Sequence, residues 1–317
     1  MLLALAGDTM LGRGVAERLR SAPPESLVDP AVVAFAHRAD LFLLNLECCI
    51  SEGGDPWPAP GKPFFFRAPP AAVDLLSHLG VDCVTLANNH ALDFGEEALD
   101  DTITHLDSAG IAHVGAGANV GAARASTVLA ADGFGIEVVA LADHPGDFAA
   151  AADRPGIAFA DLGTGVPDWV LEAVRGSAAD AVVVTAHWGP NMTAAPVASV
   201  RVAARALVEA GATLVAGHSA HVFHGVEGRV LFDLGDFLDD YAVDSTLRND
   251  LGLLWLVTLD RGAPRRIEAL PLRLEYCFTR AATGEDAAWI ARRFREACGS
   301  MGTDVSEEDG LLTISWE

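Results

Sequence analysis

The chain reads as an α/β protein, and three features predict that class. Short runs rich in valine, leucine and alanine alternate with amphipathic segments of helical period. Turn-forming pairs such as Asp132-Gly133 separate neighbouring apolar runs. The predicted strands also end in polar residues, as strands of open α/β sheets do where they meet a ligand. With 317 residues and 51% apolar content the chain can bury a large core. No stretch has linker composition, so one domain over residues 1–317 is expected, with a helix–strand extension at about 284–317.

The opening "MLLALAGDTMLGRG" starts with six apolar residues and no basic segment before them, which suits a buried first strand at 2–6 rather than a signal peptide. Further strands are expected at 41–45, 82–87, 111–114, 136–142, 180–186 and 212–216, and helices at about 69–79, 96–109, 166–176 and 196–210. "VLAADGFGIEVVAL" predicts a hairpin at Asp132-Gly133, and "VFHGVEGRVLFDLG" another around Gly228. Beyond residue 250, "LGLLWLVTLD" and "RRIEALPLRL" read as paired strands. "GEDAAWIARRFREACGSM" follows as an amphipathic helix bounded by Gly284 and Gly299. A sheet with an antiparallel half is implied. The segments "SAPPES", "SEGGDPWPAPGKP" and 143–156 read as loops.

A formal net charge of −23 argues against nucleic acid and anionic membrane surfaces as partners. A small anionic substrate is admitted where local cations or metals reverse the sign. No apolar run approaches the roughly 20 residues of a membrane helix. Cys48, Cys49, Cys83, Cys277 and Cys298 are odd in number and lack metal-finger spacing, which fits reduced, buried thiols in a cytoplasmic protein. Lys62, the single lysine, is attributed to coding bias and given no functional weight.

The strand ends carry the chemistry. Strand 2–6 leads into Gly7-Asp8 and strand 41–45 into Asn45-Leu46-Glu47. Strand 82–87 leads into Asn88-Asn89-His90, strand 180–186 into His187, and strand 212–216 into Gly217-His218. A turn explains one polar strand end, because Asn and Asp tolerate left-handed backbone. Five ends bearing oxygen or imidazole donors, in a chain with ten histidines, favour a shared metal site.

"LAGDTMLGRG", "LLNLE", "LANNHALDFG", "TAHWGPN", "AGHSAHVFHGVE" and "LFDLGDFLDDY" resemble, in order, the motifs of the poly-γ-glutamate capsule protein CapA family, within the calcineurin-like metallophosphoesterase superfamily. The resemblance implies a four-layer α/β/β/α sandwich of metallophosphoesterase type. It also implies a divalent metal cofactor, one or two ions of Mn, Fe or Zn, between the sheets. Carried over by motif, Asp8 is a ligand, Glu47 the bridging carboxylate, Asn89 a ligand, and His187, His218 and His221 the later imidazole ligands. His90 stands outside the ligands as the acid facing the leaving group, with Asn88 as a support and Asp93 orienting the ring.

Two departures from the superfamily pattern stand out. Met10 occupies a histidine position, and an extra residue lengthens the last motif to Gly217-His218-Ser219-Ala220-His221. A thioether is a poor donor to hard divalent ions, so Met10 is expected to pack. The position formed by Asp8, Glu47 and His221 is then the weaker. That of Glu47, Asn89, His187 and His218 fills first.

Arg13, Arg67 and Arg248 are candidate anion clamps, with surface ion pairs as the alternative. Asp236, Asp239 and Asp240 suit either the rim of a site or, more simply, a solvated acidic loop. His144 and His224 are undecided; His37, His78, His105 and His113 read as ordinary. The function expected is hydrolysis of a small anionic phosphoester by a metal-activated hydroxide, with His90 protonating the departing oxygen. The alternatives are a γ-glutamyl amide hydrolase or transferase and a non-catalytic component of poly-γ-glutamate synthesis or export.

Overall fold

Two mixed β-sheets face one another, and the alternation of apolar side chains along their strands is the reason. The computed structural model describes residues 1–58, 61–260 and 262–316. Ala59 and Pro60 of the "SEGGDPWPAPGKP" loop and Glu317 of the C-terminal extension lie outside them. In the first sheet, Leu2–Thr9, Leu41–Leu46, Cys83–Thr85 and Ala112–Val114 pair in parallel in that order. On its other edge Leu2–Thr9 pairs antiparallel with Leu251–Asp260, which pairs with Ala263–Glu275, and that with Leu311–Ser315. The second sheet is built on Phe134–Ala142, Ala181–His187 and Leu214–His218 in parallel. Thr127–Ala131 forms a hairpin with Phe134–Ala142 at one edge, and Val226–Glu227 and Val230–Leu231 form another beyond Leu214–His218. Asp132 and Gly133 at the first hairpin's tip have φ of 51° and 78°, as a two-residue loop of that hand requires.

Strand residues two apart share a face, and the burial follows that rule. Leu5 and Leu43 of the first sheet join Val138 and Ala216 of the second in one interior cluster. On the far side of the second sheet Val139, Leu141, Val184 and Val215 pack against helices Asp168–Gly176 and Ala198–Ala210 through Val170, Val174 and Leu207. Helices Ala72–Leu79 and Gly95–Ala109 cover the first sheet with Leu75, Leu76, Leu79, Leu99 and Leu106. The result is the α/β/β/α order. Burial on both faces is what parallel strands need, and Leu41–Leu46 is buried at every position.

The antiparallel half is covered differently. Trp255 pairs in register with Leu5 and so shares its inward face. Helix Gly284–Gly299 sets Phe294 edge-on to Trp255 at 5.4 Å and to Phe223 at 6.2 Å, filling the interior beside the short strands of the second sheet. Among the described residues no helix is long and apolar enough to cross a membrane.

Two strands differ from expectation in ways that matter. The first runs on to Thr9 through a register shift between Ala6 and Asp8, so Asp8 sits on the strand itself. The third stops at Thr85, because the chain turns there and Asn88 N–H donates to Leu86 O at 2.9 Å.

Candidate metal centre

A pair of glycines brings two carboxylates together. A Cβ on Gly7 would lie 1.8 Å from Gly235 O, and Gly235 has φ +78°. Without side chains there the first strand runs beside Asp236–Leu238, Asp8 N–H donates to Gly235 O at 2.9 Å, and Asp8 stands opposite Asp236.

Asp8 is fully buried and its two oxygens face different neighbours. Oδ1 accepts from Asn45 Nδ2 at 2.7 Å and lies 3.9 Å from His218 Nδ1. Oδ2 accepts from Ser219 N–H at 3.2 Å and lies 3.2 Å from His221 Nδ1. His187 and His218 are register partners on adjacent strands, their Nδ1 atoms 3.0 Å apart. His221 Nδ1 is 2.8 Å from Asp236 Oδ1 and 3.9 Å from Glu47 Oε2. Asp8, His187 and His218 form one cluster of convergent donors, and Asp8, His221 and Asp236 another.

Glu47 Oε1, Asn89 Oδ1, His187 Nε2, His218 Nε2 and Asp236 Oδ2 are all buried and have no hydrogen-bond partner among the described residues. Native interiors leave few polar atoms in that state. His187, His218 and Asp236 of these converge on Asp8, and imidazole and oxygen donors mixed in this way fit a divalent cation or a pair of them.

The electrostatics favour the same species. Burial holds the His218 pKa down at about 4, against the pull of Asp8. Burial, followed by the neighbouring His144 and His218, keeps His187 well below the ordinary value. Both rings are therefore neutral with free lone pairs, as ligation requires. Burial also raises Glu47 and Asp236 well above the usual carboxylate range, with nearby Asp8 contributing to both. Asp8 itself, although burial pushes it upward, is held below its ordinary value by His221, His218 and Asn45.

Beside the cluster, His90 is fixed from behind. Its Nδ1 is 2.6 Å from Asp93 Oδ2, which also accepts Phe66 N–H at 2.6 Å. Asp93 Oδ1 is 2.8 Å from Lys62 Nζ, and the ammonium donates to Asn89 O at 2.6 Å. The ring lies on Phe66 at 4.1 Å, leaving Nε2 3.9 Å from Glu47 Oε1. Asn88 ties the loop down by accepting His90 N–H at 3.0 Å and donating to Asn45 Oδ1 and Leu46 O. Burial lowers the His90 pKa, Asp93 opposing and Lys62 assisting.

His90 and His221 reach the wall of a cleft of about 610 Å³ that Arg13, Phe64, Asn191 and Tyr241 also line. Arg13 pairs with Asp240 and lies over Phe66 at 4.9 Å and Tyr241 at 5.4 Å. The other two candidate clamps have partners of their own, Arg248 in the ion-pair form that was the default reading. Arg67 donates to Gly53 O and Gly54 O and covers Phe94, bracing the loop before it. Arg248 is held by Asp250 and Asp286.

The "GDFLDDY" acids are not a solvated loop: Asp236 and Asp239 are buried, and Asp240 is the partner of Arg13. Asp8 is common to both clusters, and Glu47 stands beside the second, its Oε2 3.9 Å from His221 Nδ1. His144 lies at the edge of the centre, its ring 5.1 Å from His187, whereas His224 bonds Thr193 O at 2.8 Å on another side. Met10 is fully buried and its Sδ accepts Gly12 N–H at 3.0 Å.

Lys62 and Tyr241 escaped the sequence reading as site residues, and Asp236 was weighed for the rim alone. Asp236 begins a strand instead of ending one, so the strand-end rule passed over it.

Residues 2–241 match the profile of the family described as bacterial capsule synthesis protein PGA_cap. The chain is 33% identical over 296 residues to a probable polyglutamine synthesis accessory protein of Mycobacterium tuberculosis, covering 87% of this chain and 77% of that one. It is 28% identical over 317 residues to the PGA biosynthesis protein CapA of Bacillus subtilis, covering 98% of this chain and 81% of that one. Among solved structures, a hypothetical protein from Thermus thermophilus matches with a TM-score of 0.51 at 16% identity, covering 86% of this chain and 99% of that one. That last likeness is one of fold.

Proposed function

We propose, from the premise that this chain belongs to the bacterial capsule synthesis protein PGA_cap family, that it is a metal-dependent hydrolase acting on a phosphoester. The observation that carries the reading is the ring of unpartnered buried donors around Asp8, set beside an imidazole anchored by a carboxylate at a cleft wall. Asp8, Glu47, Asn89, His187, His218 and His221 would hold the divalent ions, and Asp236 lies within their cluster. A divalent ion bound there supplies Lewis acidity and a water acidified towards neutral pH.

The chain's own residues account for the rest. His90 presents Nε2 to the cleft and hands its proton to the departing oxygen, while Asp93 fixes the ring and stabilises its charged form. Phe66 covers one face of that ring and keeps water from it. Arg13 gives the cleft wall a guanidinium in an otherwise acidic protein, a fit for the anionic part of a substrate. The names of the relatives, a polyglutamine synthesis accessory protein and a PGA biosynthesis protein, favour a γ-glutamyl amide as the second reading.

Metal-stripped protein reloaded with Mn, Fe or Zn and offered phosphoesters and γ-glutamyl peptides should turn over the phosphoesters alone; turnover confined to the peptides selects the second reading. Two substitutions test the roles. Asn89→Ala should lower the bound metal, whereas His90→Ala should keep the metal and slow turnover by roughly 10²–10⁴-fold. Full metal content in both variants would remove Asn89 from the ligands.

A further inference from the structure

Met10 packs its thioether against Gly12 N–H, and the strand Asp236–Leu238 brings a carboxylate to the ring of His221. His221 Nδ1 faces Asp236 Oδ1 at 2.8 Å, Asp8 Oδ2 at 3.2 Å and Glu47 Oε2 at 3.9 Å. An ion holding donors at about 2.1 Å separates neighbouring donors by about 3.0 Å and opposite ones by about 4.2 Å. All three distances suit a shared ion. The four side chains are buried, and Asp236 Oδ2 accepts no hydrogen bond among the described residues.

The alternative role for Asp236 is that of a carboxylate that merely orients His221. Such a carboxylate binds the ring nitrogen that does not ligate. Here the three carboxylates converge on the same nitrogen, Nδ1, while Nε2 is 3.3 Å from Asn191 Nδ2 on the cleft side. Asp236 is on the ligating side. Its place is built into the backbone, because the close approach at Gly7 and Gly235 puts it opposite Asp8.

We propose that Asp236 is a metal ligand, in a position completed by Asp8, Glu47 and His221 that takes an oxygen-preferring divalent cation such as Mn²⁺ or Mg²⁺. The neighbouring position offers two imidazoles and suits Zn²⁺ or Fe²⁺ better, so the two differ in the ion they prefer. This inference rests on the metal centre of the hydrolase reading and not on its substrate.

The test uses the full chain stripped of metal. Calorimetric titration with Mn²⁺ should count two ions in the native protein and one in Asp236→Asn. Asp236→Cys loaded with Co²⁺ should gain a thiolate-to-cobalt charge-transfer absorption that the native protein, whose five buried cysteines belong to neither donor cluster, does not show. Circular dichroism checks the fold of each variant, and if the asparagine variant does not fold the cysteine variant decides. A single Mn²⁺ in the native chain, two ions at unchanged affinity in Asp236→Asn, or Co²⁺ bound by Asp236→Cys without the new absorption would each overturn the assignment. Failure to hydrolyse phosphoesters leaves these counts readable and bears on the hydrolase reading alone.

Discussion

Lys62 is the only lysine in the chain, and it stands behind His90. Composition made it look like an accident of coding, because its partners Asn89 and Asp93 lie about 30 positions away and nothing local announces the contact. The spacing of His90 and Asp93, three residues apart in one loop, was legible for the opposite reason. The ammonium helps to hold the imidazole pKa down, so its removal favours the protonated ring. In Lys62→Met the alkaline limb of the kcat/KM profile should move to higher pH, because the acid form of His90 then persists further. A pH–rate profile of the metal-saturated variant measures this. An unmoved limb with reduced kcat would assign Lys62 to holding the loop alone.

At the scale of the element, the long strands and the Asp132-Gly133 hairpin were readable, since buried alternation and turn chemistry are local properties. Asp236–Leu238 was not: three residues carry no period, and the strand exists because Gly7 lets another backbone approach. That contact is open to test. Gly7→Ala places a methyl 1.8 Å from Gly235 O, and the two strands must part to admit it. A destabilisation of about 1–3 kcal/mol is expected in urea titrations. The same variant should retain less metal, because Asp8 and Asp236 move apart with the strands. Native stability in Gly7→Ala would mean that this contact yields without cost.

For the whole molecule, periodicity predicted the α/β class and the antiparallel half, but which strand joins which sheet depends on pairings across the chain that no local pattern encodes. The site was legible as donor types at strand ends. Its partition was not: sequence left Arg67 and Arg248 between clamp and ion pair, because their partners Gly53, Gly54, Asp250 and Asp286 are set by the fold.

Asp8, Glu47 and Asp236 belong to the first sheet and its loops, whereas His187 and His218 stand on the second, so any cation held between them rivets one layer to the other. By mass action such an ion stabilises the folded chain by about 2.7 kcal/mol at a free concentration a hundred times its dissociation constant. The melting temperature should therefore rise with added metal and fall with a chelator. Protease cleavage under chelation should begin at the loops around residues 89 and 219, where the seam between the layers has lost its fastening.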